Sequence, residues 1–173
     1  MDTLLEIIKI TIPALIVFLT VYFLLKNFIE GQERMKMLEI REKQQQTSTP
    51  MRMQAYERLS LFCERISIQN LVLRLEKEGL NSAQFQLTLL LAIQQEYEHN
   101  ITQQVYVSEQ LWQIIKMAKE DTVNFVSLVA ESVSPKAEAQ EFATALMDFI
   151  GKRPISGTEQ ALIAIKKEAS LLF

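Results

Sequence analysis

The apolar positions form one unbroken run near the N-terminus and shorter periodic segments behind it. Residues 10–25 carry no charge, and sixteen residues of α-helix rise about 24 Å. Extending the run back to Ile7 gives 19 residues and about 28 Å, close to the roughly 30 Å of a bilayer's hydrocarbon core. The length predicts a transmembrane helix, and residues 1–29 are assigned to a membrane anchor.

Three other interpretations fit this run less well. A cleaved signal peptide needs a basic start and a small-residue cleavage site, whereas this chain begins with Asp2 and Glu6. A buried core helix is rarely apolar all round over such a length. An interfacial helix needs a polar face, which Thr11 and Thr20 do not make. A membrane span explains the pattern best.

Basic residues around the run predict its orientation. Only Lys9 precedes or borders it, whereas five Lys and Arg residues follow within about twenty positions, namely Lys26, Arg34, Lys36, Arg41 and Lys43. Loops rich in Lys and Arg stay in the cytoplasm. We therefore expect a single-pass protein of the cytoplasmic (inner) membrane, with its N-terminus outside and its C-terminal domain in the cytoplasm.

Residues 30–49 are predicted as a juxtamembrane helix followed by a polar linker. Glu30 precedes Arg34 by four positions, and Glu39 precedes Lys43 in the same way. Acid-first pairs at this spacing stabilise a helix. The stretch Gln44–Thr49 is polar and predicts the linker that leads to a soluble domain over residues 50–173.

Helical periodicity and helix-end signals recur throughout residues 50–173. Thr49 and Pro50, either Asn81 or Ser82, and Ser108 resemble helix starts. Ser134-Pro135, and Ser156 with Glu159 three positions later, predict two more. The segment 100–107 is taken as a loop. The prediction is an all-α fold, with the transmembrane helix followed by a soluble bundle or irregular array of about six helices, at about residues 50–66, 69–78, 81–99, 108–133, 135–150 and 156–173.

Charge and cysteine content exclude several classes of protein. The formal net charge is −3, and after residue 50 there are 12 Lys and Arg against 15 Asp and Glu. This acidic balance disfavours nucleic-acid binding. Cys63 is the only cysteine, so neither an internal disulfide nor a cysteine-based zinc site can form.

The sequence offers no catalytic, metal-binding or cofactor-binding set. His99 is the only histidine, and although Glu96 stands three positions before it, a di-iron site needs two such motifs and further carboxylates. The simpler interpretation is an imidazole at a helix C-terminus. Cys63 lies in an apolar segment with no histidine near it in sequence, which favours a buried structural thiol. No site residue is assigned to any of the three kinds of chemistry.

One set of charged residues is a candidate interaction surface. Glu57 and Glu64, and likewise Arg58 and Arg65, are seven positions apart, so the members of each pair share a helix face. The ordinary interpretation is a solvated face, and the functional one is a contact surface for a partner. Trp112 is interpreted as a core anchor, with an interface role as the alternative. The full candidate surface consists of Arg52, Glu57, Arg58, Glu64, Arg65 and Arg74.

Several segments carry a family resemblance. They are Pro-Met-Arg-Met-Gln-Ala-Tyr-Glu-Arg-Leu (50–59), Glu-Arg-Ile-Ser (64–67), Asn-Leu-Val-Leu-Arg (70–74) and Glu-His-Asn-Ile-Thr-Gln-Gln-Val-Tyr-Val-Ser (98–108). With the N-terminal run, they make the chain resemble an uncharacterised bacterial family of single-span membrane-anchored helical proteins. Ile68 departs from the proline that this resemblance leads one to expect. The resemblance implies a bacterial cytoplasmic-membrane protein and no assigned activity.

Two functions follow as hypotheses. The preferred one is a membrane-anchored, non-enzymatic adaptor or accessory subunit whose cytoplasmic helical domain binds another protein. The alternative is a ligand-binding or enzymatic module that uses carboxylate and arginine side chains, for which Glu57, Arg58, Glu64 and Arg65 must converge on a pocket. The expected partners are the lipid bilayer and an unknown protein, with no nucleic acid and no cofactor, and self-association is left open.

Overall fold

The helix signals of the sequence correspond to an all-helical chain. A computed structural model describes the backbone of residues 2–172 and the side chains of residues 15–16, 18–33, 35–37, 39–40 and 48–172. In this part of the chain there is no strand, so the all-α prediction is confirmed. The elements are α1 (Asp2–Ile66), α2 (Ile68–Arg74), α3 (Ser82–Asn100), a 3-10 helix (Ile101–Val105), α4 (Glu109–Ala130), α5 (Ala139–Ile150), α6 (Gly157–Ala169) and a second 3-10 helix (Ser170–Leu172).

The chain divides into two units by its contacts, Met1–Ser48 and Thr49–Phe173. In the first unit, every large apolar side chain described between Leu15 and Ile29 is exposed, with exposed fractions from 44% to 66%. The side chains of residues 1–14 and of Val17, which belong to the predicted anchor 1–29, lie outside the described residues. Among the residues that are described, no helix meets both the length and the apolarity required to cross a membrane.

The backbone of α1 continues through the segment predicted as a linker. Residues 44–49 are helical, and α1 passes through Thr49 and Pro50 instead of beginning there. A proline inside a helix removes one backbone hydrogen bond and bends or strains the helix without necessarily ending it. The prediction of a helix start at Pro50 is therefore wrong.

In the second unit, polar side chains cap the starts of three helices. Asn81 and Gln84 form a reciprocal capping box at α3, and Ser156 and Glu159 form another at α6. The Ser108 side chain accepts a hydrogen bond from the backbone of α4. Each cap satisfies backbone N–H groups that a helix leaves without partners, and these predicted starts are confirmed.

Two helix boundaries differ from the sequence prediction, and at both the backbone makes other hydrogen bonds. α2 ends at Arg74, where the Lys77 ammonium group donates to the Val72 carbonyl at 2.6 Å, and Gly79 follows with a φ of 75°. α5 begins at Ala139 and not at Pro135. The residues before it pair with the start of α3, where the Ser82 N–H donates to the carbonyl of residue 137 at 2.8 Å.

The core of the second unit lies where α1, α3, α4, α5 and α6 face one another. α4 packs most extensively against α6, and α3 packs against both α4 and α5. Phe85 and Phe142 meet edge to face with ring centroids 6.3 Å apart, and Tyr97 stacks on Trp112 at 5.8 Å. The largest side chains without solvent exposure are Phe62, Phe85, Phe142, Leu59, Ile66, Leu71, Leu89, Ile93, Leu111, Ile115, Leu146 and Ile165.

Trp112 and Cys63, for which the sequence allowed either a structural or a functional role, both lie in this core. Trp112 has an exposed fraction of 4%, and Cys63 is fully buried. Burial raises the pKa of the Cys63 thiol to about 12, with a further contribution from the nearby Glu64 carboxylate. A thiol with so high a pKa stays protonated at neutral pH and is a poor nucleophile. Both residues stabilise the fold by packing.

Candidate functional site

A buried carboxylate ties three helices together at one end of the second unit. Glu96, near the end of α3, has an exposed side-chain fraction of 12%. Arg65 Nη1 of α1 donates to both Glu96 carboxylate oxygens at 3.2 Å, and Arg74 Nη1 of α2 donates to Oε1 at 2.9 Å. Burial tends to raise the pKa of Glu96, but the hydrogen bonds from Arg74 and Arg65 outweigh it and lower the pKa. Glu96 is therefore ionised at neutral pH, and two guanidinium groups face one carboxylate.

The same carboxylate lies in the wall of a surface cleft between α1 and α3. The cleft has a volume of about 440 Å³, and its lining comprises Gln54, Glu57, Arg58, Leu61, Phe62, Arg65, Glu96, His99 and Asn100. Asn100 is held in place because its side-chain amide donates to the Glu96 carbonyl at 2.8 Å. The cleft thus combines a polar wall on α3 with charged and apolar side chains on α1.

One exposed stretch of α1 borders this cleft and forms a face of its own. We call Glu57, Arg58, Leu61, Glu64 and Arg65 the α1 outer face; all five side chains are exposed, and Leu61 is 54% exposed despite being apolar. Within the described residues, only Arg65 among the four charged members makes an ion pair, the one to Glu96 described above. This face presents two acids, two arginines and a leucine to the surroundings.

Arg52 belongs to a different cluster from the rest of the predicted surface. Its guanidinium donates to the Tyr56 hydroxyl at 2.9 Å, and this hydroxyl donates to the Glu168 carboxylate at 3.1 Å. Glu168 also accepts from the Ser108 backbone N–H at 2.9 Å, and from the Ser108 hydroxyl. Burial first, and then the negative charge of Glu168, raises the pKa of Tyr56. This cluster joins α1, α4 and the end of α6, and its role is structural.

In the structure, the six residues predicted as one surface lie in three different places. Glu57, Arg58 and Arg65 line the cleft, and Glu64 is exposed beside them on the α1 outer face. Arg74 supports the cleft from behind through Glu96, whereas Arg52 lies in the Tyr56 cluster. Glu64 is not part of the cleft lining, so the convergence of all four charged side chains that a pocket-based module requires is incomplete.

Two residues that organise this site have no clear signal in the sequence. The spacing of Glu96 from His99 is its one local feature, and nothing local indicates that Glu96 pairs with Arg65 and Arg74. Leu61 belongs to an apolar helix, and only the packing of Leu59 and Phe62 into the core leaves it outside. Which apolar side chains of α1 face the core, and which residues pair with Glu96, both depend on long-range contacts.

The start of α6 is already occupied by a carboxylate of the chain. Asp121 accepts two hydrogen bonds from Arg153, at 2.9 and 2.8 Å, and a third from the Gly157 backbone N–H at 3.1 Å. The Arg153 hydrogen bonds lower the pKa of Asp121 most, and the Gly157 bond lowers it further against the effect of burial. An anion at a helix N-terminus is favourable, and here Asp121 supplies it. Across the described residues, no cluster of three or more His, Cys, Asp or Glu side chains could hold a metal ion.

Comparison with known proteins places the chain in a family. The family described as Family of unknown function (DUF7935) has a model that matches residues 2–172. No curated protein and no solved structure matches the chain. The expectation of an uncharacterised family is thereby confirmed.

Proposed function

The chain belongs to the family of unknown function DUF7935, and we propose that it is a membrane-anchored, non-enzymatic adaptor or accessory subunit whose helical domain binds another protein. The observation that carries the proposal is the α1 outer face. There, Leu61 is 54% exposed between two acids and two arginines. The Leu61 side chain gives a partner an apolar contact among these charges, and arginine is frequent among the residues that dominate binding.

The charges of the α1 outer face have no partners along their own helix. Side chains three or four positions apart on a helix can pair, but every position at that spacing from Glu57, Arg58, Glu64 and Arg65 is uncharged. The face therefore keeps its charges available to a partner, except where Glu96 holds one side of Arg65. A partner with charges in the opposite arrangement gains ion pairs that the free domain lacks.

Membrane anchoring through residues 1–29 is part of the same proposal. The large apolar side chains described from Leu15 to Ile29 are exposed around the helix, which is costly in water and favourable in lipid. Lys26 and the later basic residues favour retention of the C-terminal domain in the cytoplasm of a bacterial cell. The N-terminus is then outside the cytoplasmic membrane.

The test uses the full chain with a photo-crosslinking amino acid in place of Leu61. We expect flotation with membranes that resists alkaline carbonate, and reproducible crosslinks from Leu61 to protein. A matched control carries the crosslinker at Leu91 of α3, which is 53% exposed and outside the α1 outer face. A carbonate-soluble chain refutes anchoring, and equal crosslink yields at Leu61 and Leu91 refute the assignment of the binding face.

The second candidate is a ligand-binding module, favoured by the cleft itself. Glu57, Arg58 and Arg65 line it with Glu96, and the Arg74 and Arg65 guanidiniums outnumber the Glu96 carboxylate that they share. A small dicarboxylate such as succinate is a suitable probe because arginine binds a carboxylate through two parallel hydrogen bonds. Saturable binding to the full chain that Arg58→Ala abolishes supports this function, and the absence of saturable binding removes it.

A further inference from the structure

We propose that the partner of the α1 outer face is a second copy of this chain, and that the two copies of α1 pair in parallel about a two-fold axis beside Leu61. The inference rests on the proposed function, because it names the protein that occupies the same face. Its basis is the arrangement of charges around Leu61.

The acids and the arginines lie on opposite flanks of Leu61. A helix turns by about 100° per residue. Relative to Leu61, Glu57 and Glu64 are therefore offset by about 40° and 60° to one side, and Arg58 and Arg65 by about 60° and 40° to the other. The α1 outer face thus has an acidic flank and a basic flank, separated by a line of exposed side chains that contains Leu61 and Gln54.

A parallel two-fold arrangement brings unlike flanks together. When two helices run in the same direction with Leu61 facing Leu61, the basic flank of one copy lies against the acidic flank of the other. Arg58 then faces the partner's Glu57, and Arg65 faces the partner's Glu64. In each pair the residues differ by one position, about 1.5 Å along the axis. Symmetry repeats both pairs, so the contact contains four unlike pairs and no like pair.

An antiparallel two-fold arrangement does the reverse. With the direction of one helix inverted, the basic flanks meet each other and the acidic flanks meet each other. Arg58 then approaches the partner's Arg65, and Glu57 approaches the partner's Glu64. Like charges at an interface oppose association. The charge pattern therefore selects the parallel orientation without reference to the membrane.

The buried Glu96 prepares Arg65 for this contact. Only Nη1 of Arg65 donates to Glu96, and within the described residues the remaining guanidinium N–H groups make no hydrogen bond. Arg74 holds Glu96 from the other side at 2.9 Å. A guanidinium that is fixed at one nitrogen loses less conformational entropy when its other donors bind a carboxylate. Glu96 thus holds Arg65 in a position from which it can pair with a carboxylate of the second copy.

Anchoring in one membrane favours association. Confinement of two anchored copies to the same bilayer raises their effective concentration. A contact formed by one stretch of one helix is small beside the standard protein interface of about 800 Å² per partner, so confinement supplies part of the stability. Because the pairs are solvent-exposed, the association is sensitive to ionic strength.

The test is cysteine crosslinking of the full chain in membranes. Leu61→Cys places a thiol next to its own copy across the axis, whereas the native Cys63 is buried with a pKa raised to about 12 and stays unreactive. With a short bismaleimide, we expect covalent dimer from Leu61→Cys and only background from Leu91→Cys, which is equally exposed on α3. Equal yields from the two variants overturn the proposal.

Reversing one charge and then exchanging two tests whether Arg58 of one copy pairs with Glu57 of the other. In the Leu61→Cys chain, Arg58→Glu places two acids opposite each other and is expected to lower the dimer yield about tenfold. Adding Glu57→Arg exchanges the two charges, so the unlike pair re-forms and the yield recovers. Trp112 emission reports that each variant is folded. An undiminished yield in the single variant, or no recovery in the double variant, refutes the pairing.

The two proposals fail in different ways. If the photo-crosslinker at Leu61 captures only other proteins and Leu61→Cys gives no dimer, the adaptor function stands and self-pairing is wrong. If neither reagent captures anything above the Leu91 control, both are wrong. If Leu61→Cys gives a dimer whose yield the single variant Arg58→Glu leaves unchanged, the two copies meet without these ion pairs and the proposed pairing is wrong.

Discussion

Neutralising Glu96 by Glu96→Gln tests whether the carboxylate that joins α1, α2 and α3 stabilises the domain. The substitution keeps the shape of the side chain and removes its charge, so the bonds from Arg65 and Arg74 lose their ionic partner. Hydrogen bonds to a charged group contribute about 1.5–3 kcal/mol each. The arginine side chains here are 58% and 38% exposed, and water compensates much of the loss. We therefore expect destabilisation of about 1–2 kcal/mol in total.

The assay is urea unfolding of the full chain in a mild detergent, followed by Trp112 emission. Trp112 is the only tryptophan and stacks on Tyr97, one residue from Glu96, so it reports on this part of the fold. With a urea dependence of about 2 kcal/mol per molar, the midpoint should fall by roughly 0.5–1 M. Glu120→Gln is the control, because Glu120 is exposed on α4 and its side chain makes no ion pair or hydrogen bond to any described residue.

The pH dependence gives a second readout with a defined sign. The pKa of Glu96 is lowered in the folded state, and the unfolded value is about 4.3. A lowered pKa contributes stability that is present above the unfolded pKa and is lost as the pH falls through the folded one. The difference between wild type and Glu96→Gln should therefore be full at pH 7 and shrink below about pH 4.3. A midpoint equal to that of wild type at pH 7, or a difference that does not change with pH, refutes this account.

Three further outcomes follow from burial and capping. Leu59→Ala should cost about 2–5 kcal/mol because it leaves a cavity, whereas Leu61→Ala on the exposed side of the same helix should change stability by less than about 0.5 kcal/mol; equal effects in urea unfolding contradict the assigned burial. Ser156→Ala should cost about 1 kcal/mol by removing half of the capping box with Glu159, and an unchanged urea midpoint refutes the cap. Cys63 should react slowly with a thiol reagent at pH 8 and rapidly in denaturing urea, and fast native labelling contradicts its burial and raised pKa.

The sequence predicts helix starts correctly where the contacts that stabilise them are local. The capping box of Ser156 and Glu159 and the cap at Ser108 depend on side chains within three residues of the backbone groups that they satisfy. Such contacts form in any context that permits a helix. The starts of α4 and α6 were therefore predictable from a few adjacent positions.

The boundaries that failed carry sequence signals that fit more than one structure. Pro50 is compatible with a helix start and with passage through a helix, and the sequence alone does not choose between them. Similarly, Ser134-Pro135 reads as a helix start, yet this loop gives its backbone groups to residues at the start of α3. At Pro135, hydrogen bonds to a distant segment override the local helix-start signal.

The candidate site divides in the same way. The charges of Glu57, Arg58, Glu64 and Arg65 on one side of a helix follow from their spacing, because a seven-residue repeat covers nearly two full turns. Their lack of partners along α1 also follows from the sequence, since no charged residue stands three or four positions away. The spacing does not predict the role of Glu96, because its two arginine partners lie on other helices.

The sequence by itself determined that the fold is all-α, how several helices begin, and which charges lie together on α1, because each depends on neighbours within about one or two turns. Only the tertiary structure decided which side of α1 is buried, that Leu61 is left outside, and that Glu96 lies between Arg65 and Arg74. These features depend on how separate helices pack, and packing is fixed by the joint burial of side chains that are distant in the chain.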